Sequence, residues 1–142
     1  ADMADMAVVV AERDDYLDAL RRLQADFENF KKRTLKQQTE HLERAAEGLV
    51  ARLMPVLDAA DLAIAHGGGE AVEQVGQLLT DTLVKDGLEP IAPQVGDPFD
   101  PTQHEAVTHE PGDGEPVVVE MLRSGYRWKG RLLRAAMVKV RG

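Results

Sequence analysis

From Val8 to Glu47 the sequence contains neither Gly nor Pro. It is rich in Ala, Leu, Glu, Gln, Lys and Arg, which lose little side-chain freedom in a helix. Within this stretch Tyr16, Leu20, Leu23, Phe27 and Phe30 follow at spacings of 4, 3, 4 and 3. That is a heptad seam, and a heptad seam calls for a partner helix. The helical pattern carries on to Ala65, which makes a rod on the order of 80 Å at ~1.5 Å per residue. A chain of 142 residues cannot bury such a rod in its own core. Most of the rod must therefore stand out from the chain's own core, pair with a second copy, or both, with Tyr16, Leu20, Leu23, Phe27 and Phe30 at the contact.

The seam does not continue unchanged. Its register lands next on Thr34, Gln37, His41 and Arg44, and the apolar stripe resumes out of phase at Leu35, Leu42, Ala46, Leu49 and Leu53. A phase shift of this kind excludes one uniform left-handed coiled coil. Lys31, Lys32, Arg33 and Lys36 form a basic cluster just past the apolar seam. It reads either as a solvated helix face or as an electrostatic contact for an acidic partner. Asp14 and Asp15 sit near the expected helix start, where carboxylates suit the positive end of the macrodipole. The opening residues 1–7 lack the basic start and apolar run of a signal peptide and are assigned no structure.

Pro55 falls inside the apolar pattern Val50, Leu53, Leu57, Ala60, Ile64. The stripe resumes in phase on both sides, so a kinked continuation is expected. Gly67-Gly68-Gly69 ends the helix. A second helix follows from about Glu70 to Asp86, with Val72, Val75, Leu79 and Leu83 on its stripe and Gly76 on or beside it. Glycine costs about 1 kcal/mol against Ala inside a helix. Either a neighbouring helix approaches closely there, or the defect is tolerated. The two helices make a hairpin with one face uncovered, and two hairpins make a four-helix bundle. Leu53, Leu57, Val72, Gly76, Leu79 and Leu83 are thus dimerisation candidates too.

After Gly87 the character changes. Short β-branched or alternating runs (Leu88–Pro93, His104–His109, Pro116–Met121 and Leu132–Val140) are separated by Pro/Gly turns and read as strands. Lys129-Gly130 suits a tight hairpin turn. The expected fold class is α+β: a long coiled-coil-like helix, a helical hairpin forming a dimeric four-helix bundle, and a small C-terminal β-sheet wing. The division falls into residues 8–86 and 87–142. Charge is segregated within the second part. Asp86 to Glu120 holds acids and no Lys or Arg, while Met121 to Gly142 holds seven Lys and Arg and no acid. The two halves either neutralise one another across paired strands or leave a basic last hairpin for an acidic protein surface.

A net charge of −8 disfavours general nucleic-acid binding, whose affinity comes mainly from neutralising phosphates. There is no cysteine, which fits a reducing cytoplasm and excludes disulfides and thiolate metal sites. No apolar run approaches the ~20 residues that cross a bilayer. His104, Glu105 and His109 resemble a stretched zinc-protease signature, but the histidines are one residue too far apart for one helix face. Asp97, Asp100 and Asp113 sit in Pro/Gly turns without the glycine and closing Glu of a calcium loop. No phosphate loop, nucleophile elbow or dinucleotide fingerprint is present. Aromatics are only 4% of the chain, so little is available to line a pocket. No cofactor and no catalysis are expected.

Three stretches together resemble the GrpE nucleotide exchange factors of DnaK-type chaperones. They are Ala25-Asp26-Phe27-Glu28-Asn29-Phe30-Lys31-Lys32-Arg33; Gly96-Asp97-Pro98-Phe99-Asp100-Pro101 with His104-Glu105-Ala106-Val107; and Gly125-Tyr126 with the run from Gly130 to Val140. The resemblance covers about Leu20 to Val140. Ala135, where many members have Pro, is expected to leave its strand intact, and Trp128 is unusual. The resemblance implies a heat-shock co-chaperone that is a homodimer and needs no cofactor. One wing would dock on the chaperone's nucleotide-binding domain and hold its cleft open so that ADP leaves. The long helices would reach toward the linker and substrate-binding side. The implied chaperone contacts are Phe99, Pro101, Leu122, Arg131 and Val140 in the wing and Lys31 in the helix. Phe99 and Leu122 also read as ordinary β-domain core. Two other classes stay open: a non-catalytic coiled-coil scaffold or adaptor, against which a basic hairpin on a wing argues, and an enzyme with an unrecognised site.

Overall fold

A computed structural model describes residues 2–142. The first helix, α1, spans Asp2–Ala65. It begins six residues before the expected start at Val8. The opening residues carry no Gly or Pro, and Asp2 and Asp5 lie in the first turn, where their charge opposes the helix dipole. α1 runs through Pro55 without interruption. The chain falls into two compact units, one ending at Ala46 and one spanning Glu47–Gly142.

The first unit is the leading part of α1. Its seam residues Tyr16, Leu20, Leu23, Phe27 and Phe30 are all more than half exposed, from 51% to 72%.

The second unit starts with the end of α1. That helix closes in a Schellman motif: Gly68 N–H donates to the Ala63 carbonyl and Gly67 N–H to the Ile64 carbonyl. Gly67 takes the positive φ of 78° that this motif requires. α2 then spans Gly69–Asp86 and stops at Gly87, whose N–H reaches the Leu83 and Val84 carbonyls. Gly76 is buried, and a Cβ there would meet Ile64 Cδ1 at 3.4 Å and Ala60 Cβ at 3.5 Å. The glycine therefore faces α1 of its own chain.

Six strands follow: β1 Leu88–Ile91, β2 His104–Glu110, β3 Val117–Arg123, β4 Gly125–Trp128, β5 Arg131–Arg134 and β6 Ala136–Arg141. They form two three-stranded sheets, ordered β1-β4-β5 and β2-β6-β3. The first sheet is antiparallel throughout. In the second, β6 is central, parallel to β2 and antiparallel to β3. The β4–β5 turn is Lys129-Gly130, with φ of 46° and 82°, the primed geometry that suits a two-residue hairpin.

The expected single strand across Ala135 is divided there. β5 ends in one sheet and β6 begins in the other. Ser124 marks the opposite crossing, from β3 to β4. The two crossings touch: a Cβ on Gly125 would lie 2.4 Å from Ala136 N and 2.7 Å from the Ala135 carbonyl carbon. Only glycine permits that approach. The two crossings thus pack backbone against backbone.

Along β6, Ala136, Val138 and Val140 point inward and Met137 and Lys139 lie at the margin, the period of two expected of a strand. With Ile91 and Val118 they form the core, and Phe99 and Ala106 pack against it. Leu88, Tyr126 and Trp128 are buried in the other sheet. Burying each such side chain is worth roughly 1.5–3 kcal/mol.

Candidate partner-docking surface

The Gly96–Pro101 turn is held from within. Val118 N–H donates to the Asp97 carbonyl at 2.8 Å, and Gly96 N–H donates to the Val118 carbonyl at 2.8 Å. Asp97 accepts from Gln94 N–H at 2.8 Å. Asp100 Oδ1 accepts from the Thr102 backbone N–H at 2.9 Å and its hydroxyl at 2.6 Å. These two hydrogen bonds hold the Asp100 carboxyl below its usual range. Asp100 N–H donates to Nδ1 of His104 at 3.0 Å, which places that histidine's proton on Nε2. His104 is buried and His109 is exposed, so the two rings do not share a site. Among the described residues no group of three His, Cys, Asp or Glu could hold a metal ion.

The expected contact residues have different surroundings. Phe99 is half-buried against the core, its ring 6.0 Å from that of His104. Pro101 is exposed at the turn. Leu122 lies near the end of β3 and is 48% exposed. Arg131 opens β5 with a side chain 64% exposed, 3.4 Å from Glu47 of α1. Val140 is 0% exposed, so its side chain belongs to the core and offers no surface to a partner. Strand alternation explains this, because Val138 and Val140 must share one face. Lys31, in the first unit, stands 5.2 Å from the Phe27 ring centre, and Arg33 stands 5.8 Å from that of Phe30. Part of the basic cluster thus lies over the seam's aromatic faces.

In the hairpin, Leu57 and Gly76 are buried and Leu53, Val72, Leu79 and Leu83 are half-buried within the single chain. Leu49, Val56, Leu62, Val75 and Leu78 stay exposed.

The segregated charges neutralise one another across paired strands at Glu110 but not at Arg131 and Arg134. Glu110 receives Lys139 at 2.9 Å and Arg141 at 2.7 Å, which hold its carboxyl below the usual range. Arg131 and Arg134 instead meet acids of α1, Glu47 and Asp58. Glu47 and Asp58 stand about three helical turns apart on one face. The spacing was visible in the sequence, but nothing local links it to a strand more than 70 residues on. Among the described residues no helix is long and apolar enough to cross a membrane.

The GrpE family model matches residues 3–142. This chain belongs to the GrpE family. It is 38% identical over 130 residues to a Protein GrpE of Methanothermobacter thermautotrophicus, covering 89% of this chain and 74% of the relative. To that of Nitratidesulfovibrio vulgaris it is 41% identical over 129 residues, covering 84% and 67%. To that of Geobacillus thermodenitrificans it is 45% identical over 130 residues, covering 84% and 58%. The matched residues take in both helices and both sheets.

Proposed function

We propose that this chain is a nucleotide exchange factor, a co-chaperone that docks on the nucleotide-binding domain of a DnaK-type chaperone and accelerates ADP release. The observation that carries this reading is family membership over residues 3–142. Such a factor forms no bond and needs no cofactor. It binds the open cleft better than the closed, ADP-bound one, and that difference alone shifts the equilibrium. The working state is a cytoplasmic homodimer, paired through the Tyr16–Phe30 seam and through the hairpins as a four-helix bundle. The exposed seam supports that pairing. Phe99, Pro101, Leu122 and Arg131 supply the wing contact, with Val140 supporting them from the core. Lys31 supplies a contact from the long helix, directed to the chaperone's linker and substrate-binding side.

The test is release of a fluorescent ADP analogue from a DnaK-type chaperone, with and without this chain. Arg131→Ala should weaken binding roughly 30-fold, on the scale of truncating a desolvated charge pair at about 2 kcal/mol. Its exposed contact with Glu47 is worth at most about 1 kcal/mol, so the fold should survive. Unchanged release in the presence of the wild-type chain would refute the reading.

A further inference from the structure

One side-chain cluster is not used by the proposed contact. Arg134 closes β5, directly before the crossing at Ala135. Its two terminal nitrogens donate to the two carboxylate oxygens of Asp58 on α1, one of them at 2.6 Å. Its Nε donates to the Ser124 carbonyl at 3.0 Å, at the other crossing. Its guanidinium carbon lies 5.4 Å from the Tyr126 ring centre. One side chain thus ties both sheet-to-sheet crossings to the helix. It is 16% exposed and Asp58 is 33% exposed, so the pair is partly shielded from water. Three turns earlier on the same helix face, Glu47 holds the other end of β5 through Arg131.

We propose that Asp58 and Arg134 are positioning residues for nucleotide exchange, fixing the β domain against the helix that carries Asp58 so that this chain and ADP exclude one another from the chaperone. This rests on the exchange-factor reading. A partner can shift an equilibrium only by its differential affinity for the two states. If the wing pivots freely on α1, it follows the chaperone's lobes as the cleft closes and keeps its contacts in both states. The differential is then lost although every contact residue is intact. A rigid joint prevents that compliance. A partly buried ion pair suits this task, because desolvation offsets much of its Coulomb gain while its bidentate geometry fixes orientation.

The measurement is the affinity of the full chain for a DnaK-type chaperone, with and without ADP. The ratio of the two dissociation constants is the coupling factor, and couplings of this kind run to about 5–150-fold. Asp58→Asn should lower the ratio at least about threefold, and the maximal rate of ADP release should fall with it. Asp58→Glu, which keeps the carboxylate, should retain most of the ratio. Arg134→Lys, which keeps the charge but loses the fork, should behave like Asp58→Asn. A purely structural defect would weaken both affinities together and leave the ratio alone. Trp128, the sole tryptophan, reports whether the wing is folded. An unchanged ratio in Asp58→Asn with native Trp128 emission overturns the proposal. So does loss of that emission in both Asp58→Asn and Arg134→Lys, which would make the pair a folding element. A wild-type ratio of one overturns the exchange reading itself, and that outcome is seen before any variant is made.

Discussion

Arg134 and Asp58 lie 76 residues apart in the chain and share two hydrogen bonds, one from each terminal guanidinium nitrogen. The hydrogen bonds from Arg134 hold the Asp58 carboxyl below its usual range, against the opposing effect of burial. A depressed carboxylate contributes stability that is full above the unfolded-state pKa, near ~3.9, and is lost as pH falls through the lower folded value. Asp61 has the opposite sign: burial, then the charge of Asp58, raises its pKa. Its ionised form costs stability, and protonation relieves that cost as pH falls from neutral toward ~4. Followed by Trp128 emission, the wing's melting temperature should hold or rise slightly down to about pH 4 and drop below it. Glu110, also depressed, adds to the acid loss. Asp58→Asn should reduce the drop. A melting temperature that falls steadily from neutral pH would contradict this assignment.

Gly125→Ala should destabilise the wing by about 3 kcal/mol or more, toward the upper end of overpacking costs. The added Cβ meets backbone atoms at Ala135 and Ala136, which cannot rotate away as a side-chain tip could. Chemical denaturation followed by Trp128 emission measures it. A loss under ~1 kcal/mol would mean that the crossings separate easily.

Gly76→Ala should be neutral or stabilising by up to about 1 kcal/mol. The new methyl makes ordinary contact with Ala60 and comes close against the tip of Ile64, and the helix-interior glycine is removed. Thermal unfolding followed by circular dichroism decides it, and a clear destabilisation would show that Ile64 cannot give way.

Leu23→Lys and Phe27→Lys should each weaken self-association about tenfold or more, because each replaces a large apolar contact with a charge. Sedimentation across a dilution series reads this, with Trp128 emission confirming an intact wing. Association unchanged by both substitutions would remove the seam from the dimer contact.

Most elements are legible in the sequence. The glycines at 67–69 and at 87 bound the helices because they sit where a helix needs its end, and Lys129-Gly130 bounds a hairpin for the same local reason. What stayed hidden depends on contacts between distant segments. The strand division at Ala135 sits against Gly125, and no property of Ala135 announces that contact. The expectation that charges in the wing would cancel internally holds at Glu110 but fails at Arg131 and Arg134, whose partners lie in α1. Val140 shows the converse case: alternation along Ala136, Val138 and Val140 was sufficient to place it inside, yet the family resemblance assigned it to a surface.

The position of β6 has a consequence for biosynthesis. It is the middle strand of its sheet, yet it is the last of the six strands to be made. β2 and β3 leave the ribosome with no strand to pair with, since each bonds to β6 and not to the other. At roughly 5–20 residues per second, β3 waits about a second before its partner exists. During that interval Val118 has no Val138 or Val140 to pack on, and the β3 edge is open to other chains. The second sheet of the wing therefore cannot close until its sixth strand is made.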